Sequence, residues 1–293
     1  MLDGVPVRWG TFLDTPPGEA DLSAAGVVVI PVPYDGTTSY RGGARDGPRA
    51  ILEASRHLED YDLELDRDTS LVGIHTAPEI APDVSGPEAL IDQVRRATLS
   101  VAERGKLAAL LGGEHTIAVG AVKALTQTHS DLSVLCLDAH ADLRDTYLGT
   151  PWGHASVNRR LHGICPIALV GVRSISAGER GFASHVGLPL FYWDGPTTDP
   201  DDLVEGVLEA LSSQVYVSVD LDVFDPSVMA AVGTPEPGGM DWREVTWLLK
   251  AVSDRRQIVG FDVTELNPNE GPEACAYTAA KLAYKLMGYA TNS

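Results

Sequence analysis

Leu132-Ser133-Val134-Leu135-Cys136-Leu137-Asp138-Ala139-His140-Ala141-Asp142 and, further along, Val215-Tyr216-Val217-Ser218-Val219-Asp220-Leu221-Asp222 decide the reading of this chain. Each is an apolar β-type run that ends in metal-binding side chains two residues apart. Alternate residues of an extended strand share a face, so the acids gather where each strand leaves the core. A third run, Leu107 to Leu111, leads into Gly112-Gly113-Glu114-His115-Thr116. Asp138, Asp142, Asp220 and Asp222, with His115 and His140, would repel one another without cations. Such a set of carboxylates and imidazoles suffices for two divalent ions bridged by carboxylates. A single Asp-x-Asp at a strand end is ordinarily a turn or cap device. Recurrence at the carboxyl ends of several strands, where parallel α/β sheets bind ligands, argues for a metal cluster instead.

Working outward, Val/Ile/Leu-rich runs occur at 26–32, 71–75, 107–111, 132–138, 167–172, 188–193, 215–221 and 257–263. They alternate with helical spacing over Pro48 to Asp62, Pro87 to Arg104, Thr116 to Thr128, Leu203 to Leu211, Trp242 to Val252 and Glu273 to Met287. This alternation predicts a parallel sheet covered by helices on both faces, an α/β/α sandwich. Pro48 after Gly47 suits a first helical turn, and Asp241 with Glu244 suits an N-cap. The Pro/Asp-rich stretch Gly195 to Asp202 reads as a loop rather than a domain boundary, so one domain over 1–293 is expected.

The 293 residues, 44% hydrophobic, can bury a large core, and a formal charge of −19 from 41 acidic against 22 basic residues disfavours nucleic acid and anionic membrane. An acidic field favours cationic substrates. Cys136, Cys165 and Cys275 are scattered and odd in number, the pattern of reduced core residues. The opening Met1-Leu2-Asp3-Gly4 shows no signal-like segment, and no apolar run is long enough to span a membrane, so a soluble cytoplasmic protein is expected.

Gly112 to His115, Asp138-Ala139-His140-Ala141-Asp142 and Ser218-Val219-Asp220-Leu221-Asp222-Val223-Phe224-Asp225-Pro226 resemble the three signatures of the ureohydrolases, the arginase and agmatinase family. Agreement extends through Val32 to Thr38, Arg45 to Arg49, His154-Ala155-Ser156 and Gly260 to Glu265, so the resemblance runs from about residue 26 to 290. It implies an eight-stranded parallel sheet, two Mn²⁺ per subunit and assembly as a homotrimer or homohexamer. Carried over residue by residue, it implies that His115, Asp138, Asp142 and Asp220 surround one ion. His140, Asp138, Asp220 and Asp222 would hold the other. Oxygen-rich ligation without a nearby thiolate is compatible with manganese.

The resemblance also implies chemistry. A guanidinium carbon is a poor electrophile, and two ions can make a strong nucleophile from water at neutral pH. Glu265, at the end of the last strand, is expected to pair with the substrate guanidinium, and His154 to move protons toward the departing amine. Asp142 is a candidate catalytic group as well as a ligand. His57, His75, His129, His162 and His185 are read as ordinary.

Substrate choice rests on Arg144, which stands where arginases carry an asparagine that helps bind the amino-acid end of arginine. Arg144-Asp145-Thr146-Tyr147 instead resembles agmatinases, so hydrolysis of agmatine to putrescine, a step of polyamine biosynthesis, leads. N1-aminopropylagmatine and 4-guanidinobutyrate stay open as alternatives. Arg144 could equally pair with Asp145. Trp152 could read substrate length or cover the sheet edge, and Gly153 replaces a serine found in many agmatinases. The loop Thr234 to Gly239 reads either as scaffolding or as a flank of the site. From other classes, a single-zinc deacetylase of the same architecture is disfavoured by the presence of both His115 and His140, and a non-catalytic metal-binding protein by intact His154 and Glu265.

Overall fold

The computed structural model describes residues 10–16, 21–193 and 200–292. The elements in order are β1 (Val27–Val32), α1 (Gly47–Ser55), β2 (Tyr61–Asp62), β3 (Arg67–Asp68), β4 (Ile74–Thr76), α2 (Pro87–Ala102), β5 (Leu107–Gly112), α3 (Ile117–Leu125) and β6 (Leu132–Leu137). They continue with α4 (Val157–His162), β7 (Ile167–Val172), α5 (Ala177–Val186), β8 (Leu190–Tyr192), α6 (Pro200–Ala210), β9 (Gln214–Asp220), α7 (Trp242–Ser253), β10 (Gln257–Thr264) and α8 (Ala274–Ala290). Eight strands form one sheet in the order β4-β1-β5-β10-β9-β6-β7-β8, and every pairing in it is parallel. β2 and β3 make a separate antiparallel pair.

The apolar runs are continuous because the central strands are covered on both sides. Along β5, Leu107, Ala109 and Leu111 face one core with Ile51 of α1, Val207 of α6, Leu248 of α7 and Ala283 of α8. Ala108 and Leu110 face the opposite core, shared with Leu90 and Val94 of α2, Ile117 of α3, Leu161 of α4 and Ala183 of α5. The expected α/β/α layering is what forms.

Register positions the site. Leu111 pairs with Val263, Thr264 with Asp220, and Val219 with Leu137, so the carboxyl ends of β5, β10, β9 and β6 lie side by side. Residues following those ends emerge along one line at the sheet edge. The chain passes closely there. Gly113 donates its N–H to Val32 O at 2.9 Å, and a Cβ at Gly113 would fall 2.0 Å from Tyr34 O, so the turn before His115 admits glycine alone.

Several boundaries differ from the sequence expectation. The run 71–75 is a strand only over Ile74–Thr76; Thr69–Val72 is a 3₁₀ turn, capped by Asp68 accepting from Ser70 N at 2.8 Å and closed by Gly73 at φ 73°. The helix expected to reach Asp62 stops at Ser55, and Tyr61–Asp62 instead pairs with Arg67–Asp68, where Asp62 meets Lys285 at 3.0 Å. α4 and α5 have no counterpart among the expected helices. α4 is short, and the Gly-interrupted α5 has weak periodicity, although its capping box, Ser176 with Glu179, was a legible signal. The capping box Asp241 with Glu244 forms as expected. The loop expected from 195 to 202 falls mostly outside the described residues; Pro200 already opens α6.

Candidate active site

The six expected ligands come together at the ends of three of the four central strands, β5, β9 and β6. His115 follows β5; its Nδ1 lies 3.3 Å from Asp138 Oδ2, 3.3 Å from Asp142 Oδ2 and 3.6 Å from Asp220 Oδ2. His140 Nδ1 lies 2.8 Å from Asp222 Oδ2 and 3.7 Å from Asp138 Oδ1. Asp138 therefore turns one oxygen to each imidazole and stands between two half-sites. The loops themselves shape the cluster: Asp138 Oδ1 accepts from His140 N at 2.6 Å, Asp220 Oδ1 from Asp222 N at 3.0 Å, and Asp222 Oδ1 from Ala139 N at 3.0 Å. Ligand atoms of Asp138, His140 and Asp222 lie close enough to hold a metal ion together.

Burial sets the electrostatics. Asp138 is fully buried, and Asp142, Asp220 and Asp222 nearly so. Burial, followed by the charge of Asp138, pushes the Asp142 carboxyl up to about 7. Asp220 is driven well above the usual carboxylate range by burial and by Asp222 and Asp138. For Asp138, burial is outweighed by the two imidazoles beside it, His115 and His140, which hold it low. For His140, burial is likewise outweighed, here by Asp222, and the imidazole is held well above its usual range. His115 Nδ1 and Asp138 Oδ2 are buried without a hydrogen-bond partner. Buried polar atoms without partners call for an ion or water, so a cation suits this donor set.

Glu265 follows β10 with φ 67°, and its Oε1 accepts from His115 N at 2.7 Å. Asp142 also has a left-handed backbone, φ 49°. Such strained non-glycine residues gather where the surrounding structure fixes a functional side chain. Burial, then the charge of Glu114, raises Glu265 well above its usual range.

His154 begins a 3₁₀ turn, His154–Ser156, and its N–H donates to Thr37 Oγ1 at 3.0 Å. Thr37 in turn donates to both oxygens of buried Glu114, at 2.6 and 2.7 Å. A Cβ at Gly153 would fall 3.1 Å from Thr37 Oγ1, so glycine at this position leaves the hydroxyl room to reach His154. Burial, then the charges of His140 and His115, lowers the His154 imidazole to about 4.

His140, Asp142, His154, Asp220, Asp222 and Glu265 line one cavity of about 360 Å³, with Arg144 and Tyr147 also in its wall. Arg144 stacks on the Tyr147 ring at 4.8 Å, and that ring meets His154 edge-on at 6.3 Å. Asp145 is instead engaged by Arg160. Trp152 is not in the wall of this cavity; it packs half-buried against the second core, with Lys123 4.5 Å from its ring centroid. The loop Thr234 to Gly239 flanks the site. Thr234 Oγ1 donates to Asp222 Oδ2 at 3.1 Å, and Glu236 Oε1 lies 3.9 Å from His140 Nε2.

Some residues of the site escaped the sequence reading. Arg173 donates to the carbonyls of Asp222, Phe224, Glu236 and Pro237 at 2.7 to 3.2 Å and fastens the flanking loop to the end of β9. Its partners are backbone atoms, which leave no sequence signal. The expectation of no thiolate nearby needs refinement. Cys136 Sγ lies 3.8 Å from His115 Nε2, but burial pushes the thiol up to about 11, so it stays protonated. Its place two residues before Asp138 on the same strand face was the available clue. The three cysteines are unpaired.

Fold and site together define an α/β protein whose central strand ends carry a buried carboxylate and imidazole cluster able to hold divalent metal. The chain belongs to the arginase family, whose model matches residues 25–288. It is 41% identical over 273 residues to the N(1)-aminopropylagmatine ureohydrolase of Thermus thermophilus, covering 92% of each chain. Over 275 residues it is 37% identical to the agmatinase of Pyrococcus horikoshii, covering 92% of this chain and 93% of that one. The solved agmatine ureohydrolase of Thermoplasma volcanium superposes with a TM-score of 0.85 at 33% identity, over 92% of this chain and 91% of that one. No helix among the described residues is long and apolar enough to cross a membrane.

Proposed function

We propose that the protein is a binuclear manganese ureohydrolase that splits N1-aminopropylagmatine into urea and spermidine. The observation that carries the reaction class is the pair of buried, unpartnered ligand atoms, His115 Nδ1 and Asp138 Oδ2, at the centre of a carboxylate cluster that opens on a cavity. The longer substrate, rather than the agmatine favoured by Arg144 alone, is supported by the 41% identity to the Thermus thermophilus enzyme. Agmatine is the second reading, supported by the 37% identity to the Pyrococcus horikoshii agmatinase. The same proposal includes one catalytic domain over 1–293, a homotrimer or homohexamer, and a cytoplasmic role in polyamine biosynthesis.

In this reading His115, Asp138, Asp142 and Asp220 hold one Mn²⁺, and His140, Asp138, Asp220 and Asp222 the other. When bound, the ions supply a water-derived nucleophile at neutral pH and balance the carboxylate charge. Glu265 pairs with the guanidinium and turns its carbon toward the cluster. His154, neutral at pH 7 because burial lowers it to about 4, faces the cavity, where it would accept the proton that water gives up as the guanidinium carbon is attacked and pass it to the departing amine. Arg144 and Tyr147 border the path of the substrate tail.

Kinetics on a panel of N1-aminopropylagmatine, agmatine, arginine, 4-guanidinobutyrate and formiminoglutamate, with the Mn²⁺-loaded protein, test the proposal. The longer amine is expected to exceed agmatine in kcat/KM by about tenfold or more, a difference of about 1.4 kcal/mol in transition-state binding. Agmatine ahead would restore the second reading, arginine ahead would overturn the reading of Arg144, and no urea from any of them would overturn the reaction class. Glu265→Gln is expected to lower kcat/KM roughly 10- to 100-fold, the worth of a charge-assisted hydrogen bond, with both Mn²⁺ retained. Undiminished activity in the metal-replete variant would dismiss Glu265 from substrate binding.

A further inference from the structure

His154 rides on the loop that follows β6, yet that loop is fastened at the end of a different strand. In the sheet, β10 and β9 lie between β6 and β5. Two threonines nevertheless hold the loop from the β5 side: Thr116 Oγ1 donates to Trp152 O at 3.3 Å, and Thr37 Oγ1 accepts from His154 N at 3.0 Å. Thr116 follows β5 directly. Thr37 lies on the loop after β1, the strand that pairs with β5 in register from Val27 with Leu107 to Val32 with Gly112.

Hydrogen counting fixes the direction of each bond at Thr37. Its single hydroxyl hydrogen goes to Glu114 Oε1 at 2.6 Å, and its N–H goes to Glu114 Oε2 at 2.7 Å. Oγ1 then has only lone pairs left, which suit the backbone N–H of His154. Glu114 is fully buried, and its own N–H donates to Tyr34 O at 2.7 Å, so the carboxylate that orients Thr37 is itself tied to the loop after β1. The anchor is therefore rigid. On the cavity side, the His154 ring meets Tyr147 edge-on, and its Nε2 is buried without a hydrogen-bond partner. Its backbone attachment thus carries much of the burden of placing that nitrogen.

We infer that Thr37, locked by Glu114, is a positioning residue for His154: it sets where the His154 loop sits over the cavity and so keeps the imidazole within reach of the departing amine. Removing the hydroxyl would leave His154 N–H and Glu114 Oε1 without their partner, and the loop would shift to find others. This inference rests on the proton-transfer role proposed above for His154.

Urea release by the Mn²⁺-loaded full chain, measured as a double-mutant cycle, tests it. His154→Ala is expected to lower kcat roughly 100-fold, the scale of a positioned acid and base. Thr37→Val keeps the side-chain shape without the hydroxyl, and kcat is expected to fall roughly tenfold with KM within about threefold, because misplacing a reacting group costs rate more than binding. In the His154→Ala background the same substitution is expected to change kcat by less than about twofold, since both act through one group. Thr37→Ser restores the hydroxyl and the rate. Gly153→Ala offers a second route should Thr37→Val not fold. Gly153 has an ordinary φ of −83°, so alanine fits the backbone, but its Cβ would press on Thr37 Oγ1 at 3.1 Å and is expected to lower kcat in the same His154-dependent way. Unchanged kcat in Thr37→Val, equal losses in both backgrounds, or loss of bound Mn²⁺ in Thr37→Val would overturn the positioning role. Undiminished activity in His154→Ala would instead remove the proton-transfer reading, and this inference with it.

Discussion

Asp138→Asn is expected to lower urea release by roughly a thousandfold, because the metal pair contributes several kcal/mol of transition-state stabilisation and each 1.36 kcal/mol is tenfold in rate. Bound manganese should fall below two ions per chain. The size of the effect follows from position. Asp138 is fully buried at the end of β6, with Oδ2 3.3 Å from His115 Nδ1 and Oδ1 3.7 Å from His140 Nδ1. One side chain thus serves both half-sites. The amide keeps the volume of the carboxylate, so the fold should persist, but it removes one negative charge and turns an acceptor into a donor. Metal content by mass spectrometry, with steady-state urea release on the same sample, checks the prediction. Two tightly held ions with activity within about tenfold of the unaltered enzyme would refute a bridging role.

Stripping the metal is expected to make stability fall as pH rises, by about 5 °C or more in melting temperature between pH 5 and 8, given about 2–4 °C per kcal/mol for a domain of this order of size. Asp142 is pushed up to about 7, and Asp220 and Glu265 well above their usual range, each by burial first. A carboxyl whose folded pKa exceeds its unfolded value of about 4 stabilises the fold below that value and loses the contribution as pH rises through the folded pKa. The affected window thus opens near pH 4 and, for Asp142, extends through 7. His140, raised by Asp222, acts in the same direction above about pH 6.5. His154, lowered to about 4 by burial, acts the other way, adding stability as pH rises toward 6.5. The three acids and His140 outweigh it above pH 5. Saturating Mn²⁺ displaces those protons and stabilises by about 2.7 kcal/mol at a hundredfold excess over Kd. Thermal unfolding at pH 5 and 8, with chelator and with Mn²⁺, reads the difference. A metal-free melting temperature that stays level between the two pH values would show that the carboxylates are not held in a costly buried array.

Much of this was legible in one dimension. Continuous apolar runs such as Leu107 to Leu111 marked strands buried on both faces, and the acids at their ends marked the sheet edge that binds ligands. His115, Asp138, His140, Asp142, Asp220 and Asp222 were all named from spacing, since period-two alternation at a strand end is a local property. The short edge strand Ile74–Thr76 and the hairpin of Tyr61–Asp62 with Arg67–Asp68 were misread. Their conformation is set by Asp68 capping Ser70 and by Lys285 reaching Asp62 from α8, contacts that carry no periodicity.

By itself the sequence determined the α/β alternation, the family, and the inventory of carboxylates and imidazoles, because side-chain period and hydrophobic burial are written residue by residue. Only the tertiary structure decided the rest. Strand order brought β5, β10, β9 and β6 together, Asp138 came to stand between the two imidazoles, Arg173 fastened the flanking loop, and Trp152 packed half-buried against the core rather than into the cavity wall. Those outcomes depend on pairings between segments far apart in the chain, in which a hydrogen bond to a backbone carbonyl or a register match across strands is energetically decisive yet leaves no mark on residue type.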